Sequence, residues 1–417
     1  MTTTMYVGVD DKARKVKKMY TGVDDVARQV KKAYIGVGGV ARPFFSGDIE
    51  VLFEYYGKIT PLSEARFMST VGNVGDYVLF AGGAFGLWGE YGDILTTLTV
   101  DAYSSKLVRS TPSPLQRASE MYEGEFEGVY EQTSVRFGDY AVFWGGESIV
   151  YGSSEGEDYS YRSDWRAMGN AYDSKLLRHD LPENGTDDTN LPVGATAGGY
   201  VIFCGGSVYH DSGTNSGEVF AYTENLSNVG VEALSIARTY MAASSVGDYA
   251  LFAGGTYYWE NTSYATVDAY DINLVHTLPT ELSVARDCLK GAKVEGYCLF
   301  AGGYVTDEGD GGYSDVVDVY DSTLVRRQAP PLSESGEPTS LEYNGKAYFF
   351  NGDFIDVYDA NLVRTTYGKP QDNEVLDNSY AIGVVGNYLL ATGAFAESDD
   401  EPYLIPFDDV HTFTFLE

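Results

Sequence analysis

Side-chain chemistry needs reactive groups at set distances, and this sequence offers few. Four histidines, His179, His210, His276 and His411, are scattered and never fall at metal-ligand spacing. His276 occupies a slot that holds Arg or Thr in sister repeats, which favours a structural role. Three cysteines, Cys204, Cys288 and Cys298, are an odd number in widely spaced strand-like contexts, so they form no disulfide framework. The first and last fall in apolar strands and read as small buried hydrophobes. Cys-x-x-Cys, His-Glu-x-x-His, a Gly-rich phosphate loop and Gly-x-Ser-x-Gly are all missing, so zinc catalysis and nucleotide hydrolysis have no support. Carboxylates are harder to dismiss, because glycoside hydrolysis needs only two. With 61 Asp and Glu, close pairs are guaranteed and no single pair is informative. No catalytic residue, metal ligand or cofactor is assigned.

Binding chemistry is better represented. Five segments, 84–99, 147–169, 207–218, 256–266 and 304–315, each follow a Gly-Gly pair and carry most of the length variation between repeats. Their aromatics supply the candidate ligand-binding residues Trp88, Tyr151, Tyr159, Trp165, Tyr257, Tyr258 and Trp259. Such rings stack on sugars or anchor a protein partner. The competing reading is that they merely cover the ends of the strands they connect. The acidic runs DEGDGGYSD at 307–315 and ESDDE at 397–401 offer oxygens of the kind Ca²⁺ takes, but their spacing is not that of an EF-hand, and solvated loops are expected. Arg66, Arg117, Arg238 and Arg286, which might clamp a sugar acid, recur from repeat to repeat, which favours a scaffold role.

The elements that position these residues follow from a segment that recurs seven times: GDYVLFAGG at 75–83, GDYAVFWGG at 138–146, GGYVIFCGG at 198–206, GDYALFAGG at 247–255, EGYCLFAGG at 295–303, NGKAYFFNGD at 344–353 and GNYLLATGA at 386–394. A repeat of this period signals a propeller or solenoid. Each copy is a turn, a continuous apolar run, then Gly-Gly. A continuous run marks a strand covered on both faces, as between neighbouring blades. A second element follows, as in VDAYDINLVHTL from Val267 and VDVYDSTLVRR from Val317, in which polar turn residues separate two short apolar stretches like an outer hairpin. A third, such as PLSEAR at 61–66 and LSVAR at 282–286, precedes the Gly-Gly strand and is expected to supply the innermost strand.

This ordered set resembles the Kelch family over residues 49–417, with Leu-Val standing where a Kelch repeat usually has Trp. The resemblance implies an all-β fold, a seven-bladed β-propeller, with six as the alternative count because the last two Gly-Gly pairs have decayed. Residues 49–60, IEVLFEYYGKIT, read like an outer hairpin with no Gly-Gly strand before them, and the final repeat ends on VHTFTF at 410–415 alone. The strand at 49–60 is therefore expected to close the last blade and remove free sheet edges.

Ahead of the propeller, residues 1–43 hold a different, 14-residue repeat: YVGVDDKARKVKKM from Tyr6, YTGVDDVARQVKKA from Tyr20 and YIGVGGVARPFF from Tyr34. Asp-Asp or Gly-Gly sits where a two-residue hairpin turn would lie, so small β-hairpins are expected, with short helices as the alternative. Nine Lys or Arg against four Asp give residues 1–42 a charge of +5 within a chain of −33, leaving −38 for the rest. That acidic body repels nucleic acid and anionic membrane, and a basic arm on it suits other copies of itself or an acidic assembly. No apolar run is long enough to span a bilayer, and the N-terminus lacks the apolar centre of a signal peptide, so synthesis and residence in a cytoplasm, without membrane insertion, is the expectation.

The Tyr-x-Gly-Val repeats resemble segments of tail and structural proteins of phages and prophages in Gram-positive bacteria. That resemblance implies a virion protein joined to other virion proteins or copies of itself through residues 1–43, with residues 44–417 displayed toward a host-surface glycan or protein. A cellular Kelch-like interaction module and a carbohydrate-active propeller such as a sialic-acid mutarotase are the alternatives.

Overall fold

A computed structural model of the protein describes strands within residues 6–46, at 6–9, 12–15, 19–23, 26–30, 32–37 and 40–46. It then describes residues 51–416 apart from 89–92, 117–125, 155–156, 163–168, 183–188, 209–213, 258–261, 307–310, 370–380, 394 and 398–403. No helix occurs among the described residues. The three N-terminal repeats are antiparallel hairpins, Tyr6–Val9 with Lys12–Lys15, Met19–Val23 with Val26–Val30, and Lys32–Val37 with Val40–Ser46. The flanking strands pair in the hairpin register, and the helical alternative is set aside.

Seven antiparallel four-stranded sheets follow, one per Gly-Gly repeat. In blade 1 the order from the inside out is Thr70–Val74, Tyr77–Ala81, Val100–Ser104 and Arg109–Ser110, here strands a to d. Blades 2 to 6 repeat that order within 133–180, 193–230, 242–277, 290–328 and 339–368. Blade 7 takes strands a to c from Ala381–Val385, Tyr388–Thr392 and Val410–Phe415, and its outer strand from Phe53–Ile59. Residues 49–60 thus contribute a single strand, not the hairpin expected of them, because Val410–Phe415 already pairs with Tyr388–Thr392 on its other edge.

The core is divided into seven wedges, one between each pair of neighbouring blades. Strand b explains why its run is apolar throughout: Leu79 and Ala81 pack toward blade 2, while Val78 and Phe80 pack toward blade 7. The blade 7 to blade 1 wedge has the same composition as the rest, with Leu390 and Val410 against Phe80 and Tyr103. Further contacts seal that joint. The Asn73 side chain donates to the Val384 carbonyl at 2.6 Å, and the Gly386 turn lies so close on Ser105 that a Cβ there would meet it at 3.1 Å. Phe53 is stacked on Phe350 and edge-on to Phe415, which locks the N-terminal outer strand into the final wedge.

The arginine segments do not supply the innermost strand; they form the link that returns from the outer strand to the axis. Their arginines are sequestered instead. Arg66, Arg238 and Arg286 are fully buried and pair with Asp101, Asp268 and Asp318 of strand c at 2.9, 2.6 and 2.9 Å. Each guanidinium also donates to a strand b carbonyl, of Phe80, Phe252 or Phe300, at 3.0 to 3.2 Å. In blades 4 and 5, Nε reaches the first glycine of the pair, Gly254 or Gly302, at 2.7 and 2.9 Å. A buried carboxylate–guanidinium pair tolerates burial only when its remaining donors are satisfied, and here strand b satisfies them. Arg117 lies outside the described residues.

His276 substitutes for the outer-strand arginine of blade 4, bonding Asp268 at 2.7 Å from Nε2. Cys204 and Cys298 are fully buried within strand b.

Candidate binding face

The connections between strands b and c all emerge on the face that also carries the interblade links. Short bridges tie the two together: Phe67 to Ala84, Thr239 to Thr256 and Asp287 to Tyr304. The Gly-Gly pair makes this possible. Gly83 sits at φ +112, and a Cβ there would lie 2.5 Å from the Phe67 carbonyl.

Among the described residues, six of the seven blades extend that connection into an extra antiparallel hairpin. These are Ala84–Trp88 with Asp93–Thr96, Glu147–Ser154 with Glu157–Arg162, Ser207–Val208 with Thr214–Asn215, Thr256–Tyr257 with Thr262–Ser263, Tyr304–Val305 with Gly312–Tyr313, and Phe395–Glu397 with Leu404–Pro406. Blade 6 alone passes directly from Asn351 to Phe354. The result is a crown with one notch, over blade 6.

Neighbouring hairpins are fastened by polar contacts. Asn215 Nδ2 donates to the Thr256 carbonyl at 3.0 Å, joining blades 3 and 4. Between blades 4 and 5, Ser263 Oγ donates to Asp287 Oδ2 at 2.6 Å, and Thr306 Oγ1 lies 2.9 Å from Ser263 and 3.3 Å from Asp287. Tyr130 donates to Glu147 Oε2 at 2.7 Å in blade 2. Glu64 Oε2 accepts the hydroxyls of Thr97 and Thr99 at 2.8 and 2.9 Å. A Cβ on Gly128 would strike the Thr96–Thr97 backbone, so that glycine lets the blade 2 extension seat on blade 1. Carboxylates held by hydroxyls in this way are joints. The described histidines lie on outer strands or strand c and are not among the residues of these clusters. Among the described residues no three His, Cys, Asp or Glu converge as metal ligands.

Of the aromatics expected to bind, Tyr257 is half-buried on the blade 4 hairpin. Trp88 lies on the blade 1 hairpin, and Tyr151 and Tyr159 lie on the two strands of the blade 2 hairpin, one register step apart. Trp165, Tyr258 and Trp259 lie outside the described residues. Of the acidic runs, residues 307–310 and 398–401 also lie outside them. One aromatic pair was not singled out beforehand: Tyr304 and Tyr313 meet edge-on at 5.5 Å, and Tyr313 is 60 % exposed at the border of the notch. Its signal in the sequence was the cross-strand Tyr spacing around the DEGDGG turn.

The opposite face is built from short a–b and c–d turns. It carries a shallow cleft of about 340 Å³, bordered by Thr196, Gly198, Ser245, Gly247, Lys293 and Tyr297 at the inner ends of blades 3 to 5. Lys293 there is 3.8 Å from Glu342.

No protein-family model matches the chain, and no curated protein matches it. Among solved structures it is similar to one described as "Structure of YjhT", with 13% identity, a TM-score of 0.48, and coverage of 74% of this chain and 99% of that chain. The protein is an all-β, seven-bladed β-propeller preceded by a β-hairpin repeat segment, a fold suited to a binding or structural module.

Proposed function

We propose that the chain is a non-enzymatic component of a phage or prophage virion, in the tail or as a decoration, that attaches through residues 1–43 and displays its propeller for adhesion. The observation that carries this reading is the division of labour along the chain. Three basic hairpin repeats precede the disc, and six of seven blades raise an extra hairpin on one face. The chain joins the disc elsewhere, at its circumference: Val51 bridges Gly368 of the blade 6 outer strand, and the Leu416 amide bonds the Leu52 carbonyl in blade 7. Loops gathered on one face of a repeat scaffold are its usual binding surface. Many copies on a particle let weak contacts with a host-surface glycan or protein add by avidity.

Light scattering of the full chain beside a chain starting at Phe44, in low and moderate salt, tests attachment. The full chain alone is expected to form a defined assembly. If both are monomeric, the virion reading loses its physical basis. Binding of fluorescent full chain to Gram-positive cell walls, competed by free glycans, tests adhesion; a chain that binds neither wall nor glycan is not an adhesin.

A further inference from the structure

The notch over blade 6 exposes two groups whose counterparts are engaged elsewhere on the crown. In blades 1 to 5 the link residue after the arginine position pairs with the residue after the glycine pair: Phe67 with Ala84, Tyr130 with Glu147, Asn190 with Ser207, Thr239 with Thr256 and Asp287 with Tyr304. In blades 1, 4 and 5 both amides donate across this bridge, at 2.8 to 3.0 Å. In blade 6 the link residue is Glu337, and its counterpart Asp353 is turned away from it. The Asp353 amide goes to Glu334 Oε2 at 3.4 Å, and its carbonyl accepts the Lys369 amide at 3.1 Å. Glu337 is exposed, and among the described residues its amide and carbonyl make no hydrogen bond. Exposed edge groups of this kind pair with an added strand.

Tyr313 is the second group. It stands on the blade 5 hairpin where Asn215 and Ser263 stand in blades 3 and 4, opposite the residue after the glycine pair. Those two side chains fasten the crown of the next blade, Asn215 to the Thr256 carbonyl and Ser263 to Asp287 and Thr306. Blade 6 raises no hairpin for Tyr313 to fasten, and the ring is 60 % exposed. An unmade bridge and an unused fastener thus face one seat, which a two-stranded hairpin fills in the neighbouring blades. Asp315, Glu334, Glu337 and Asp353 border that seat, against Lys290 and Lys369 among the described residues. The connections on either side, 304–315 and 394–409, hold four and six Asp or Glu and no Lys or Arg.

We propose, resting on the assembly reading above, that a basic N-terminal hairpin of a second copy of the chain seats in this notch, one strand bridging Glu337 and the hairpin lying against Tyr313. Shape and charge together select the occupant. Residues 6–46 form three antiparallel hairpins, each a two-stranded sheet by itself with unpaired edges. That is the element blade 6 lacks. The strands Lys12–Lys15 and Val26–Val30 bring Lys and Arg, within a segment of charge +5 over residues 1–42, to a seat bordered mainly by carboxylates. An arm has three hairpins and a disc has one notch, so one arm can hold discs besides its own. Contact between an arm and a different surface on the next copy is heterologous and propagates into rings or filaments. The six crown hairpins stay available for adhesion.

The test uses the full chain with Tyr313 replaced by photoreactive benzoylphenylalanine, in a mixture of isotopically heavy and light copies. Irradiation is expected to join position 313 to residues 6–46 of another copy, read by mass spectrometry as heavy–light peptide pairs. Sedimentation across a concentration series then compares wild type with the notch variant D315K/E337K and with D139K/E224K, which makes the same change of charge at exposed turn-face residues. The notch variant should lose at least about tenfold in association constant, and the turn-face variant should match wild type within about twofold. Crosslinks to residues 6–46 of the same copy only put a chain's own arm in its own notch and overturn the proposal. Crosslinks that miss residues 6–46, or a folded notch variant that associates like wild type, overturn notch docking while the assembly reading stands. If wild type is monomeric throughout and no crosslink joins two copies, both fall. Equal loss in the two variants makes the effect one of net charge alone and overturns the proposal as well. Should D315K/E337K not fold by circular dichroism, D315N/E337Q is judged on the same outcomes, with at least about threefold weakening expected.

Discussion

The Asn351 side-chain amide donates to the Glu334 carbonyl at 2.6 Å, a bond that an arginine makes elsewhere in the ring. Arg66, Arg238 and Arg286 reach the equivalent carbonyls of Glu64, Ile236 and Val284 at 2.9 to 3.1 Å. In blade 6 the arginine position is Gly336, and Asn351, standing where other blades have the first glycine of the pair, folds its amide into the vacated space. A Cβ on Gly336 would collide with the Asn351 amide. Gly336→Arg alone should therefore destabilise by about 1–3 kcal/mol through overpacking. Asn351→Gly alone should cost about 1 kcal/mol for the lost bond. Combined, the two should recover most of the loss, with a coupling above about 1 kcal/mol in a denaturant double-mutant cycle.

The buried ion pairs divide sharply from the exposed ones. Replacing Arg286 by Met leaves Asp318 charged and fully buried, and about 3–5 kcal/mol of stability should be lost in urea titrations. Lys58 and Asp409, 2.6 Å apart but both well exposed, are screened by water, and Lys58→Ala should leave the urea midpoint close to that of wild type.

Acid should unfold the protein only below the ordinary aspartate range. Burial alone would raise Asp268, but Arg238 and the Ser235 amide outweigh it and hold the carboxyl below 3.8. The Val275 amide, as the main cause, lowers Asp271, and the hydroxyl and amide of Thr323 do most to lower Asp321. Groups depressed in the folded state contribute stability above their unfolded values and lose it as pH falls through the folded ones. Unfolding free energy should be level above pH 4 or so and fall steeply beneath it, measured by urea titration at each pH. Asp268→Asn should flatten that acid slope while lowering the plateau.

The alkaline limb should report the tyrosines. Tyr172, Tyr270, Tyr320 and Tyr358 each donate to a carbonyl of the interblade link at 2.7 to 3.0 Å. Burial pushes all four above the ordinary 10.0, and pushes Tyr348 up to about 12. Groups raised in the folded state contribute stability below pH 10 and lose it as pH climbs through their folded values. Absorbance at 295 nm should show these phenols ionising together with the loss of circular dichroism, not before it.

Ring closure depends on Phe53. It is 1 % exposed between Phe350 and Phe415, so Phe53→Ala should cost about 3–5 kcal/mol in thermal or urea unfolding. Tyr56→Ala, on the same strand but 60 % exposed, should change stability by less than about 1 kcal/mol.

What the sequence alone determined were the features written in local patterns. Seven apolar runs ending in or near Gly-Gly specify strands covered on both faces, and turn pairs such as Asp24-Asp25 specify hairpins, because periodicity and turn chemistry act within a few residues. That the inserted segments share one face was also legible, since insertions after the glycine pair must emerge on one side of the disc. Tertiary structure decided the rest. The innermost strands TVGNV, VGATA and KGAKV share only a short alternation with small side chains such as Gly72, Ala195 and Ala292 at the buried third position, a far weaker signal than the arginine segments beside them, which is why the sequence points to the latter as the innermost strand. The pairing of Arg with Asp some thirty residues away, the exchange of that arginine for Asn351, and the closure of Phe53 on Phe415 all arise from contacts between segments distant in the chain. Such contacts exist only once the ring has closed, and no local pattern encodes which side chain will find itself opposite which.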